Sequence, residues 1–141
     1  MYKIRPISLI VLLLVLFTAN LYSQIIFNVT NVTVNGGKVY LAVFFNADEF
    51  RREEPAIAFE LDSTSTVLSQ TVSLPPGEYV FSAFQDSNGN GELDYNFLGI
   101  PRELVGISNY SGRGFPSRNF DRQKIPVNST TDVVTIALYR F

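Results

Sequence analysis

The chain contains no cysteine and no histidine among its 141 residues. Without cysteine there is no disulfide, no thiol nucleophile and no thiolate-bound metal. Without histidine, the commonest general acid–base group and the usual nitrogen ligand of zinc and copper are missing too. Any chemistry must therefore use oxygen-bearing side chains. Small domains often rely on disulfides, so packing or a hard metal ion must supply that stability here.

Positive charge is also scarce. The chain has 11 Lys and Arg against 13 Asp and Glu, a formal charge of −2, and two of the basic residues, Lys3 and Arg5, lie at the N-terminus. Removal of an N-terminal segment that contains them would leave a charge of about −4, which disfavours nucleic acid as a partner.

The N-terminal segment has the pattern of a secretory signal peptide. Lys3 and Arg5 precede an apolar run, residues 7–17, and a short polar stretch ends in Ser23. This pattern predicts a signal peptide over residues 1–23, with cleavage before Gln24 and export to the periplasm or the extracellular space. The alternative, a membrane anchor, needs about 20 apolar residues, roughly twice the run present. The absence of cysteine excludes a lipid-anchored lipoprotein.

Residues 24–141 are expected to form one domain of about 118 residues, enough for a single hydrophobic core and without a membrane span. Runs rich in β-branched residues alternate with turn signals, and no convincing helix is present. We predict strands at residues 25–34, 38–45, 56–62, 63–74, 78–85, 123–127 and 132–141. About seven short strands favour an antiparallel, immunoglobulin-like β-sandwich, with a small barrel as the second choice.

Three local patterns refine this expectation. Asn35-Gly36-Gly37 predicts an antiparallel hairpin between the first two strands, because these residues tolerate a positive φ. The charged segment 46–55 is expected to be a solvated loop with at most one helical turn, capped by Asp48. Residues 78–85 are apolar on both faces, which predicts a central strand covered by the opposite sheet and by a loop.

A loop rich in oxygen ligands follows this central strand. In the sequence DSNGNGELD, residues 86–94, side-chain oxygens stand at positions one, three, five and nine of a calcium loop of the EF-hand kind, with glycine at position six. The carbonyl of Glu92 suits position seven, and hard oxygen ligands favour Ca²⁺ over transition metals. The predicted metal ligands are Asp86, Asn88, Asn90, Glu92, Asp94 and Glu103.

Glu103 is included because the loop departs from the calcium-binding pattern at position twelve. Phe97 stands where the bidentate carboxylate should be, so the site would need Asp94, water or a distant carboxylate to complete it. A plain turn is the alternative, since Asn88-Gly89 and Asn90-Gly91 are both turn-forming pairs.

A second unusual segment follows the loop. Gly99-Ile100-Pro101 predicts a bend, and Gly106-Ile107-Ser108-Asn109 predicts a tight return of the chain. One hypothesis is that this segment folds back over the loop, so that Glu103 or the Asn109 amide oxygen joins the coordination or holds a ligand. The alternative is a long loop ordered by its own turns.

The motifs LPPGEY, DSNGNGELD, LGIPRE and GISN occur in this order between residues 74 and 109. In this respect the chain resembles the bacterial exported family known as domain of unknown function 2141, from about Val34 to the C-terminus. Ile107 stands where many members have phenylalanine. The resemblance implies a β-sandwich similar to transthyretin-like and carboxypeptidase regulatory-like domains and an exported location, but no established activity.

Three functions are consistent with these patterns. The favoured one is a non-catalytic binding or accessory module of the cell envelope, whose metal-ordered loop presents aromatic residues to a glycan, a peptide or a cell-surface protein. These residues are Tyr95, Phe97, Tyr110 and Phe115. The second is a purely structural envelope protein. The third is a hydrolase that uses Asp86, Asp94 and Glu103 as acid and base.

Overall fold

The computed structural model describes residues 22–141. The predicted signal peptide lies outside the described residues except for Tyr22 and Ser23, so it stays a prediction. In this part of the chain no helix is long and apolar enough to cross a membrane. Residues 22–141 form the following strands and short helices: β1 (Ser23–Thr30), β2 (Lys38–Phe44), α1 (Ala47–Arg52), β3 (Ile57–Leu61), β4 (Leu68–Leu74), β5 (Gly77–Asp86), β6 (Leu104–Ile107), α2 (Phe120–Gln123), β7 (Ile125–Val127) and β8 (Val133–Ala137).

The strands form two sheets. The smaller sheet has the order β4-β1-β8, and the larger has the order β3-β2-β5-β6, with β7 pairing with β5. All of these pairs are antiparallel except β1 with β8, which are parallel. The all-β sandwich is therefore confirmed, as two sheets rather than one closed sheet, with one parallel pair that we did not expect.

The predicted hairpin between the first two strands is wrong. β1 pairs with β4 and β8, whereas β2 pairs with β3 and β5, so residues 31–37 cross from one sheet to the other. The Asn-Gly-Gly sequence does form a turn there, and Gly37 has a φ of 102°. Both strands, however, carry an inward apolar face, and these faces pack against each other across the core instead of lying side by side.

The hydrophobic core lies between the two sheets. Phe27 of β1 and Phe81 of β5 are fully buried and meet edge to face, with ring centroids 5.2 Å apart. Burial of each such side chain contributes about 1.5–3 kcal/mol. The sheets also touch through their backbones, since Val105 and Tyr139 exchange two hydrogen bonds of 2.9 Å. A Cβ on Gly106 would lie 2.4 Å from a β8 carbonyl oxygen, so this approach requires glycine.

The outer face of the larger sheet carries a second apolar cluster. Phe44, Val80 and Ile107 are buried there, and Phe50 of α1 and Phe120 of α2 pack against them. β5 is therefore a central strand with both faces covered, as predicted. The cover on this side includes two short helices, whereas we predicted at most one helical turn, in the segment that forms α1.

The first of these helices, α1, forms within the charged segment that we predicted to be mostly loop. Asn46 Oδ1 accepts the backbone N–H groups of Asp48 and Glu49 at 3.1 and 3.0 Å. Glu49 Oε2 in turn accepts the N–H of Phe45 at 2.8 Å. This arrangement resembles a capping box, although Glu49 reaches the N–H of the residue before the N-cap. The N-cap is Asn46 and not Asp48.

Candidate functional site

Residues 87–103, which connect β5 to β6, form a long hairpin that we call the β5–β6 hairpin. Tyr95 on the outgoing arm forms an antiparallel bridge with Pro101 on the returning arm. Arg102 donates its backbone N–H to the Asp94 carbonyl at 2.9 Å. The segment after the Gly-Ile-Pro bend therefore folds back along the oxygen-rich loop, which is the first of the two predicted alternatives.

Asp86, the last residue of β5, organises the start of this hairpin. It is 1% exposed, and its Oδ1 and Oδ2 accept the backbone N–H groups of Gly89 and Gly91 at 2.7 and 2.8 Å. Both glycines have a positive φ, which favours glycine. Burial raises the pKa of the Asp86 carboxyl, but the N–H groups lower it by more, so that the pKa lies below its ordinary value. Asp86 is therefore ionised at neutral pH and holds the loop backbone.

Asn88 and Asn90 direct their amide groups toward Asp94. The Nδ2 atoms of the two asparagines donate to Asp94 Oδ2 at 2.6 and 2.9 Å. Their Oδ1 atoms accept the backbone N–H groups of Asn90 and Glu92 at 3.1 and 2.9 Å. Three predicted ligand side chains thus converge, whereas Glu92 takes part through its backbone N–H. The loop is closed by its own hydrogen bonds.

Glu103 joins the two arms at the base of the hairpin. It is 2% exposed. Its Oε1 accepts the backbone N–H of Ser87 at 2.8 Å, and its Oε2 faces the N–H of Asp94 at 3.5 Å. The structure therefore places this distant carboxylate beside the loop, although its oxygens already receive backbone donors.

Asn109, the other residue proposed to reach the loop, makes its contacts elsewhere. Its Nδ2 donates to the Lys124 carbonyl at 2.9 Å. The neighbouring Ser108 Oγ accepts the N–H of Phe81 at 3.1 Å and donates to the Gln123 carbonyl at 2.6 Å. The GISN motif therefore fastens β6, β5 and the α2–β7 connection together, and these contacts do not support a role for Asn109 in the loop.

The predicted calcium ligands are brought together only in part. Within residues 22–141, no group of three or more His, Cys, Asp or Glu side chains is placed so that it could hold a metal ion. The converging donors are one carboxylate, Asp94, and the amides of Asn88 and Asn90. The orientation of an asparagine amide follows from its hydrogen-bond partners. Both amide oxygens accept backbone N–H groups, so three oxygens would meet at one point, as Ca²⁺ requires, only if both amides turned and gave up these bonds.

Tyr95 fastens the hairpin to the rest of the domain. Its hydroxyl donates to Glu53 Oε1 at 3.1 Å, and the Arg118 guanidinium lies 5.4 Å from its ring centroid. Burial and the Glu53 carboxylate raise the pKa of Tyr95 to about 12. Glu53 follows α1 and Arg118 precedes α2, so the hairpin is fixed to both helical segments. Sequence reasoning misses Glu53 and Arg118 here, because no pattern links positions this far apart in the chain.

The tip of the hairpin is apolar and exposed. Phe97 is 95% exposed and Leu98 is 66% exposed. Asn96 Oδ1 accepts the N–H groups of Leu98 and Ile100 at 2.9 and 3.0 Å, so the turn has a defined shape. Phe97 is among the aromatic residues predicted to contact a partner. Sequence reasoning misses Leu98, because a leucine between turn residues is ordinarily assigned to a core.

The other two predicted contact residues do not join this tip. Within residues 22–141, the rings of Tyr110 and Phe115 contact a separate C-terminal cluster: Tyr110 lies 5.4 Å from Tyr139, and Phe115 lies 5.9 Å from Phe141. The Tyr110 hydroxyl also donates to a backbone carbonyl at 2.6 Å. Tyr110 is therefore mainly a packing residue, while Phe115 remains largely exposed.

A family model described as "Uncharacterized protein conserved in bacteria (DUF2141)" matches residues 27–135, which include all of β2 to β7 and the complete β5–β6 hairpin. No curated protein and no solved structure matches the chain.

Proposed function

Since the chain belongs to the bacterial DUF2141 family, we propose that it is an exported, non-catalytic binding module of the bacterial cell envelope that engages its partner with the tip of the β5–β6 hairpin. The single observation that carries this proposal is the exposure of Phe97 and Leu98 on a turn whose base is held by buried carboxylates. A solvent-exposed Phe-Leu pair has no role in the core of this domain.

The hairpin is well suited to binding because it is already ordered. Asp86 and Glu103 fix its base, and Tyr95 fixes its middle through Glu53. A rigid loop loses less conformational entropy when a partner binds than a flexible one does. Aromatic and aliphatic anchors at such a tip suit a cleft in a peptide or cell-surface protein, or the apolar face of a glycan ring.

The contacts of the three candidate catalytic carboxylates favour binding over hydrolysis. Asp86 and Glu103 are buried and accept backbone N–H groups, and Asp94 accepts two asparagine amides. A general acid or base must reach the proton that it transfers. The Asp86 and Glu103 oxygens face backbone N–H groups inside the protein, and Asp94 Oδ2, in an exposed part of the loop, is occupied by the two amides. This supports the non-catalytic alternative over the hydrolase alternative.

The experiment that tests the proposal compares two surface variants. The protein, expressed from its full sequence and purified as the cell processes it, is applied to a glycan array and to a random-peptide phage library. The test variant is Phe97→Ser with Leu98→Ser, and the matched control is Phe115→Ser, which removes another exposed phenylalanine. We expect ligands that bind the control normally and bind the tip variant at least about tenfold more weakly.

Two other outcomes would argue against the proposal. Ligands that bind the tip variant as well as the wild type would place the binding surface elsewhere. No binding to either probe would favour the alternative of a structural envelope protein without a ligand.

A second proposal concerns the loop at residues 86–94, for which we propose calcium as the bound ion. The observation that favours it is the convergence of Asn88, Asn90 and Asp94 within 2.6–2.9 Å. With the amides turned, Asp94, Asn88 and Asn90 would hold the ion. A bound ion would replace four amide hydrogen bonds as the element that orders the outer loop. Two of these run to Asp94, and two come from the backbone N–H groups of Asn90 and Glu92.

Calorimetric titration with CaCl₂ tests this second proposal. Asp94→Ala is the informative variant, because Asp86→Ala would also remove hydrogen bonds that the loop needs without any metal. We expect saturable heat and a higher melting temperature in calcium than in chelator, with both effects lost in Asp94→Ala. No heat in the wild type, or the same heat in the variant, would leave the loop as a hydrogen-bonded turn.

Export requires a separate test, since it depends on residues 1–23. We expect N-terminal sequencing of the protein from the periplasm or culture medium of a bacterial host to begin at Gln24. Ser23 is the first residue of β1, so this cleavage would shorten the strand by one residue and leave its core positions intact. Retention in the cytoplasm with an uncleaved N-terminus would contradict export.

A further inference from the structure

The smaller sheet lacks charged side chains. None of the residues of β1, β4 and β8 is Asp, Glu, Lys or Arg, whereas strands of the larger sheet carry Lys38, Glu60, Glu78 and Asp86. Apolar residues are also exposed on the outer face of the smaller sheet, where Ile26 is 44% and Val133 is 49% exposed. A solvent-facing sheet without charge is poorly protected against association.

β4 forms an edge of this sheet. The Gln70 side-chain amide donates to the Thr71 carbonyl at 3.0 Å, a bond that a second strand would displace. Within residues 22–141, β1 is the one strand that pairs with β4, so the other side of β4 has no strand partner. The uncharged stretch around it extends from residue 63 to residue 77, and no proline or bulge interrupts its seven residues, LSQTVSL. Natural edge strands usually carry a charge, a proline or a bulge that prevents pairing with another chain.

At the β3 edge of the larger sheet, charged side chains provide such protection. β3 carries Glu60, and Lys38 bridges Glu60 and Asp62 at 3.2 and 2.6 Å. A second chain added to β3 would have to desolvate this charged group. Of these two edges, β4 is therefore the one open to strand addition.

We propose that β4 pairs with β4 of a second copy of this chain, antiparallel and centred on Thr71, so that two smaller sheets form one continuous sheet across a twofold axis. This interface is distinct from the hairpin tip and does not depend on the proposed function. A twofold pairing of one edge with itself uses both edges and forms a closed dimer.

The side-chain pattern of β4 supports this register. With Thr71 opposite the second copy's Thr71, Gln70 faces Val72 and Leu68 faces Leu74. These residues all lie on the inward face, whereas Thr71 and the serines of β4 lie outward. A shift by one residue would place inward residues opposite outward ones. Pro75, directly after β4, ends the pairing because proline cannot donate to the ladder.

The occupant is a second copy because the chain itself supplies a strand that fits. The partner must be uncharged, extended over seven residues and apolar on alternate positions, and β4 meets all three conditions. Neither copy brings a charge to the contact, so no ion is desolvated. Edge pairing buries a small area, so we expect a reversible dimer with a dissociation constant of about 10–100 µM.

Variants that introduce a charge at the twofold axis test the proposal. Thr71 is exposed, so Thr71→Lys and Thr71→Glu should fold normally, which matching circular dichroism spectra and melting temperatures at low concentration would verify. In sedimentation equilibrium of the protein purified as the cell processes it, each variant should dimerise at least about tenfold more weakly than the wild type. An equimolar mixture should regain dimers, because opposite charges then meet at the axis.

The matched control is Thr135→Lys, an exposed threonine on the same sheet but in β8. It should leave dimerisation unchanged. A monomeric wild type at about 200 µM, well above the expected constant, would overturn the proposal. Equal loss in Thr135→Lys and Thr71→Lys would also overturn it, since it would indicate that the outer faces and not the β4 edges meet.

Cross-linking gives an independent measurement, because the chain has no cysteine of its own. In a pairing centred on Thr71, the two Cβ atoms at the axis lie about 4.5–5.5 Å apart, close enough for a disulfide after a small adjustment. Thr71→Cys should therefore form a covalent dimer under mild oxidation far faster than Thr135→Cys. Equal rates for the two variants would contradict the register.

Discussion

Replacement of Asp86 by Asn removes one charge and one acceptor from the base of the hairpin without a change in side-chain size. The carboxylate accepts the N–H groups of Gly89 and Gly91 at 2.7 and 2.8 Å, whereas an amide accepts one and presents its own NH₂ group to the other. A hydrogen bond to a charged group contributes about 1.5–3 kcal/mol, and a buried donor without a partner costs about 1–3 kcal/mol. Since these two effects overlap, we expect the free energy of unfolding to fall by about 2–4 kcal/mol at pH 7.

The effect should depend on pH in a defined direction. The pKa of Asp86 in the folded protein lies below its ordinary value of 3.8, because the backbone donors outweigh burial. The stabilisation is therefore fully present above pH 3.8 and is lost as the pH falls through the folded-state pKa. Because the amide does not titrate, the difference in stability between the wild type and Asp86→Asn should be constant from about pH 5 to 8 and should shrink in more acidic solution.

Urea denaturation followed by circular dichroism measures this difference, since the chain has no tryptophan. Asp62→Asn is the control, because Asp62 is exposed and forms a surface ion pair with Lys38, worth about 0–1 kcal/mol. A loss of less than about 0.5 kcal/mol for Asp86→Asn at pH 7 would refute the reasoning. A difference that stays the same at low pH would refute the ionised state of the carboxyl.

Three further predictions follow from single contacts. Gly37→Ala should destabilise the protein by more than about 4 kcal/mol or prevent folding, because its Cβ would lie 1.8 Å from a backbone oxygen. Gly99 has open space around it, so Gly99→Ala should lower the free energy of unfolding, measured by urea denaturation, by about 1 kcal/mol. Ser108→Ala should lower the unfolding free energy by about 1–3 kcal/mol and accelerate hydrogen exchange of the Phe81 amide, whose acceptor it removes. In an absorbance titration at alkaline pH, the wild type should show a tyrosine that ionises at about pH 12, and Tyr95→Phe should lack it. Since the unfolded-state value is 10.0, the wild type should lose stability as the pH rises from 10 to 12, and this part of the loss should be absent in Tyr95→Phe.

The contacts separate two roles within the β5–β6 hairpin. Its base is structural: Asp86 and Glu103 are buried and receive backbone donors. Its tip is different, because Phe97 and Leu98 are largely exposed. Variants of the base should therefore change stability and binding together, whereas variants of the tip should change binding alone.

We predicted no strand at β6 (Leu104–Ile107), where the sequence suggested a bend and a tight return of the chain. Local sequence patterns were sufficient for the other strands, the central position of β5 and the turn around Asp86. Each of these depends on residues near one another in the chain: alternation of apolar and polar side chains, the glycines that permit a positive φ, and the spacing of side-chain oxygens. The family resemblance was also carried by short motifs, and the match over residues 27–135 confirms it.

Only the tertiary structure decided which strands pair, because pairing depends on contacts between distant residues. Asn35-Gly36-Gly37 allows a hairpin and a crossing between sheets equally well, and the packing of Phe27 against Phe81 across the core selects the crossing. The same holds for Tyr95 with Glu53, for Ser108 with Phe81, and for the unpaired edge of β4. A sequence specifies which faces must be buried, but the partner that buries each face is determined by the packing of the whole chain.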